Sequence, residues 1–91
     1  RWKKLMFINK SADHTNNLCG KQVEQYRKEL KLSQRELADR LQLIGLDIDK
    51  NAIQRIEAGK RFVTDIELKA LSTVLNCTLE ALIGIESTMQ N

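Results

Sequence analysis

The chain has 91 residues, 30% of them charged and 4% aromatic, with four glycines and no proline. That describes one small, helix-rich domain with a modest core, and it excludes a multi-domain enzyme built around a large catalytic cleft. The net charge of +3 is unevenly placed: residues 1–61 hold 14 basic and 8 acidic side chains, residues 62–91 one basic and four acidic, as expected if one face meets a polyanion and another turns away from it. Cys19, Cys77 and the single histidine, His14, cannot make a zinc site at any recognised spacing, so neither metal nor cofactor is expected. Both thiols read as reduced and the compartment as cytoplasmic, with a Cys19–Cys77 bridge as the minor alternative. No apolar run approaches the roughly 18 residues of a membrane span.

Residues 1–19 read as a flexible N-terminal arm, rich in Asn, Ser and Asp and without a sustained period. Basic residues precede a short apolar patch at its start, but the patch is too short for a secretory signal, and Met6 is a candidate natural start. Trp2 and Phe7 are candidates for a dimer contact or a wedge between base steps, against the plainer reading of a loose tail. The globular unit is expected over residues 20–85, with 86–91 as a C-terminal tail.

Helix one is predicted over about residues 21–30, with Val23, Tyr26 and Leu30 on one face. Ser33 and Glu36 form a capping box that starts helix two, whose buried side is Leu37, Ala38 and Leu41. Gly45 offers a stop, and Asp47-Ile48-Asp49 a polar turn around one buried isoleucine. Asp49 is placed to cap helix three, with Ile53 and Ile56 inward and Lys50, Asn51, Gln54 and Arg55 outward. Gly59 closes that helix. Thr64 and Glu67 make a second capping box for helix four, carrying Leu68, Leu71, Val74 and Leu75, and Thr78 caps a last short helix with Leu79, Leu82 and Ile83. The fold class is therefore all-α, a compact five-helix domain.

The outward face of helix three carries the chemistry. Asn and Gln amides pair with adenine N6 and N7, and Lys or Arg with guanine O6 and N7, each good pair discriminating by about 1–3 kcal/mol. On its own such a face also fits a merely solvated helix. Its context decides: Ser33-Gln34-Arg35-Glu36-Leu37-Ala38, then Ile53-Gln54-Arg55-Ile56-Glu57-Ala58-Gly59-Lys60-Arg61, then Leu71 with Val74-Leu75-Asn76-Cys77-Thr78. These segments, in this order over about residues 21–84, resemble the lambda-repressor-like helix-turn-helix family of phage repressors, Cro-type proteins and xenobiotic-response-element-type bacterial regulators.

The resemblance implies a five-helix domain that places helix three, about residues 50–58, in the DNA major groove while helix two braces on phosphates. It implies base contacts by Lys50, Asn51 and Gln54, and phosphate contacts by Gln34, Arg35, Lys60 and Arg61, which add affinity and salt dependence but little sequence choice. Gln34 would also buttress the first residue of helix three. Arg27 and Glu57 stand where relatives place a structural ion pair. Arg55 remains open between a DNA contact and a surface residue. One departure is visible: Ala38 and Glu57 are 19 positions apart, longer than the family's usual spacing. The surplus lies in residues 42–48, so either helix two gains a turn or the connector is enlarged, with Leu43, Ile44, Leu46 or Ile48 packed beneath. A longer turn before a motif like Arg61-Phe62-Val63-Thr64-Asp65 is similar to a variant subgroup of bacterial regulators.

The function expected is that of a sequence-specific DNA-binding transcription regulator, a repressor occupying a double-stranded operator. The small interface of one domain argues for a homodimer on a palindromic site, with Ile83, Ile85 and Met89 in the acidic C-terminal portion as candidate contacts. The alternative is an antitoxin or adaptor that uses the same fold to bind a protein. No nucleophile and base pair at a recognisable spacing, so no enzyme is expected. Of the cysteines, Cys19 is the better candidate for a reactive thiol, and Cys77 reads as a small core residue.

Overall fold

The structure, a computed structural model, describes residues 15–84. Among these residues it consists of five helices and no strand: α1 (Gly20–Glu29), α2 (Gln34–Leu43), α3 (Lys50–Glu57), α4 (Asp65–Leu75) and α5 (Leu79–Ile83). Trp2, Phe7, His14, Ile85 and Met89 lie outside the described residues.

The helices begin where side chains can satisfy the orphan amides of a first turn. Ser33 and Glu36 close a reciprocal capping box on α2, and Thr64 and Glu67 another on α4. Asp49 accepts from the Ala52 amide to start α3, and Thr78 from the Ala81 amide to start α5. Each such cap contributes about 1 kcal/mol relative to alanine. α1 differs, because its N-cap residue, Cys19, makes no side-chain cap. Asn17 serves instead, its Oδ1 accepting from the Gly20 amide at 2.8 Å.

The core is one cluster drawn from every helix: Val23 of α1, Leu37, Ala38 and Leu41 of α2, Ile53 and Ile56 of α3, Leu71 and Leu75 of α4, and Leu82 of α5, joined by Cys19 and Ile48. Each Leu or Ile fully removed from water contributes about 1.5–3 kcal/mol. The face expected for α1 needs one correction. Leu30, the C-cap residue of α1, is exposed, and the residue that turns inward beside Val23 is Arg27; the chain buries a leucine again at Leu32.

The connector between α2 and α3 spans residues 44–49. α2 runs ten residues to Leu43, and a turn follows through Gly45, whose φ of 97° only glycine adopts without strain. Gln42 donates from Nε2 to the Ile48 carbonyl at 2.8 Å and pins the far side of that turn. Ile48 is buried and Leu46 packs partly against the core, whereas Leu43 and Ile44 are exposed, Leu43 by 85%. The helix has turned Leu43 away from the core before the chain reverses.

Candidate nucleic-acid interface

α3 has a sharply divided surface. Ala52, Ile53 and Ile56 are buried, and Lys50, Asn51, Gln54 and Arg55 are exposed. The division follows from the helical period: apolar positions three apart hold one side of an eight-residue helix against the core, which leaves the side chains between them outside. With its side chains an α-helix is about 10–12 Å across, which fits the width of a B-DNA major groove, about 12 Å. Its N-terminal turn borders a polar groove of about 370 Å³ against α2, lined by Arg35, Gln42, Asp49, Lys50 and Asn51 among others. Lys50, Asn51 and Gln54 thus stand together on an open surface. Arg55 shares the exposed face.

The scaffold behind that face centres on Glu57, the last residue of α3. Its Oε2 accepts from Arg27 Nε at 2.6 Å, and its Oε1 accepts from Arg27 Nη2 at 3.0 Å and from Gln34 Nε2 at 2.9 Å. The Arg27 and Glu57 side chains are 10% and 5% exposed, and Arg27 Nη1 donates further to the Leu32 carbonyl at 2.8 Å. Bonding to Glu57 holds the Arg27 guanidinium even more firmly protonated than usual. One carboxylate therefore joins α1, α2 and α3. Gln34 bonds this C-terminal residue of α3, not the first residue of that helix as the sequence analysis expects.

The cations named for phosphate contact divide into two kinds. Arg35 and Lys60 are exposed. Arg61 is partly buried and grips Glu67 through Nη1 and Nη2 at 2.9 and 3.0 Å, with Nη1 also reaching the Phe62 carbonyl. Hydrogen bonding from Arg61 holds the Glu67 carboxyl below the usual carboxylate range. Gln34 and Arg61 thus have internal partners, and for Arg61 the sequence hides this, because Glu67 already has a role as a cap. The six-residue step from Arg61 to Glu67 crosses a loop and gives no helical signal.

Residues 15–19, assigned to the arm from composition, are tied to the end of α3. The Asn16 amide donates to the Gly59 carbonyl at 2.8 Å, and the Asn17 side chain donates to the Ile56 and Arg61 carbonyls at 3.2 and 2.7 Å. The Asn three positions before Gly20 is the signal that marks such a cap.

Cys19 is not the accessible thiol expected. It is 1% exposed, and burial pushes its pKa up to about 11, so it remains a protonated core residue. Cys77 is half-buried, and neither thiol is in a disulfide. Among the described residues, no group of three or more His, Cys, Asp or Glu side chains is placed to hold a metal ion.

A short helix packed across another, with an amide-bearing outer face and a bracing partner, defines a helix-turn-helix protein. Residues 23–82 match the helix-turn-helix family model of the Cro/repressor kind. The chain belongs to the lambda-repressor-like helix-turn-helix family, a family of DNA-binding transcription regulators. Searches of curated proteins and of solved structures found no match. Among the described residues no helix is long and apolar enough to cross a membrane.

Proposed function

We propose that this chain is a sequence-specific transcriptional repressor that occupies a double-stranded operator with α3 in the major groove. The observation that carries the reading is the exposed cluster of Lys50, Asn51 and Gln54 on a helix whose opposite side, Ile53 and Ile56, is fully buried. Base reading demands side chains fixed in register, and a helix anchored in the core supplies them. Arg35 and Lys60 take the phosphates, and Gln34 and Arg61 serve by holding the ends of α3 and α4. The site of action is the cytoplasm, and no cofactor is required.

Binding titrations over a range of salt test this reading. Asn51→Ala and Gln54→Ala relax the preference among duplexes, whereas Lys60→Ala weakens all duplexes about equally and lowers the salt slope by about one unit. If all three altered affinity without altering preference, the base-reading assignment would be wrong.

A single domain of this size makes few base contacts, so the repressor acts as a homodimer on a palindromic site. Of the apolar residues considered for the dimer contact, Ile83 is half-buried at the end of α5. Sedimentation showing a monomer both free at high concentration and on operator DNA would contradict dimerisation.

A further inference from the structure

The segment 15–20 approaches α3 more closely than packing alone explains. A Cβ on Gly20 would lie 2.3 Å from the Ile56 carbonyl oxygen, so only glycine lets the start of α1 sit against the end of α3. From that position Asn16 and Asn17 reach the turn after α3. Asn16 binds the Gly59 carbonyl through its backbone amide and the Lys60 carbonyl through Nδ2 at 3.0 Å. Asn17 binds the Ile56 and Arg61 carbonyls through Nδ2 while its Oδ1 holds the Gly20 amide. Thr15 Oγ1 donates to the Asn17 carbonyl at 2.8 Å and stiffens the clip itself.

The carbonyls of Gly59, Lys60 and Arg61 all point at one short segment more than forty positions earlier in the chain. Lys60, between two anchored neighbours, is exposed. A lysine on a free turn adds main-chain motion to that of its side chain and meets a phosphate at a larger entropic cost, whereas one on a turn held at both sides has a fixed Cα and loses only side-chain freedom.

We propose that Asn16 and Asn17 are positioning residues for DNA: they clip the 59–61 turn to the start of α1 and so set Lys60 for a backbone contact beside α3. The proposal rests on the DNA-binding reading above. Neither asparagine touches DNA. Their influence passes through the main chain of the turn.

Three variants of the full chain test it. Asn16→Ala removes one exposed side-chain bond and leaves the backbone bond to Gly59. Asn17→Asp keeps the acceptor for the Gly20 amide and loses both donors to the turn. Lys60→Ala removes the contact that the clip is said to position. For Asn16→Ala and Asn17→Asp the expected result is a shallower salt dependence of duplex binding, by up to about one unit of slope, with base preference unchanged. Adding Asn16→Ala to Lys60→Ala should then change the slope no further. In the free protein, amide hydrogen exchange at Asn16 and Lys60, whose amides bond the Gly59 and Arg55 carbonyls, should quicken in Asn17→Asp while that of Leu71 and Leu75 holds, which also shows that the variant is folded.

A wild-type salt slope in both asparagine variants, or an additive effect in the double variant, would overturn the positioning role. Unchanged exchange at Asn16 and Lys60 would overturn the clip. A wild-type chain that bound no duplex at any salt would refute the DNA-binding reading, and the exchange measurement would still decide whether the clip holds the turn.

Discussion

The Gln34 side-chain amide, in the first turn of α2, donates to Glu57 Oε1 at the last residue of α3 over 2.9 Å, and Arg27 of α1 holds the same carboxylate from its other side. Three helices thus meet on one buried acidic group. Removing the cation leaves that charge uncompensated, so Arg27→Ala should destabilise by about 3–5 kcal/mol. Removing the neutral donor leaves the ion pair intact, so Gln34→Ala should cost about 1 kcal/mol. Denaturant titration checks both. An Arg27→Ala cost no larger than that of Gln34→Ala would contradict the penalty expected for stranding the buried Glu57 charge.

The second prediction concerns acid. Arg61 and the Thr64 cap both hold Glu67 in its charged form, so its carboxyl titrates below the unfolded value of about 4.3. A carboxyl lowered by folding stabilises at pH values above its unfolded value, and that contribution is lost as pH falls through the folded one. Glu67→Gln keeps an acceptor for the Thr64 amide and removes the charge. It should lower stability by about 1–2 kcal/mol at pH 7, where Glu67 is charged. The gap from wild type should narrow as pH falls below the unfolded value. A gap of constant size across that range, measured by thermal melting, would show that the pairing with Arg61 does not contribute.

A third prediction separates the two cysteines. Cys19 is buried with its pKa raised to about 11, and Cys77 is half-buried. With a thiol-alkylating reagent at pH 8, Cys77 should label in the native protein and Cys19 only after unfolding. Because folding raises the Cys19 value, its contribution to stability is complete below the unfolded value near 9 and declines as pH climbs toward about 11. Cys19→Ala should therefore flatten the alkaline limb of the stability profile. Rapid native labelling of Cys19 would contradict its place in the core.

Much of this architecture is legible in the residues because local signals and burial agree. Ser33 with Glu36, Thr64 with Glu67, Asp49 and Thr78 each start a helix as their side-chain chemistry predicts, and Ile53 and Ile56 face inward at the expected spacing. What escapes the sequence depends on contacts between distant segments. Asn16 and Asn17 have the composition of a loose arm, and only folding brings the carbonyls of residues 56–61 to them. Arg61 carries the same charge as Lys60, and only the approach of α4 gives it Glu67 while Lys60 stays in solvent. Leu43, Ile44, Leu46 and Ile48 are equal candidates for packing beneath the connector, and only the path of the chain buries Ile48 and leaves Leu43 outside.

The central claim, that the outer face of α3 reads bases, is tested most directly by selecting bound sequences from a random pool of duplex DNA with the wild-type chain. One enriched motif with two inverted half-sites about 34 Å apart along the duplex is expected. In parallel selections with Asn51→Ala and Gln54→Ala, preference should be lost at separate positions within each half-site. A pool that emerges unenriched, or one whose motif is the same for wild type and both variants, would contradict it.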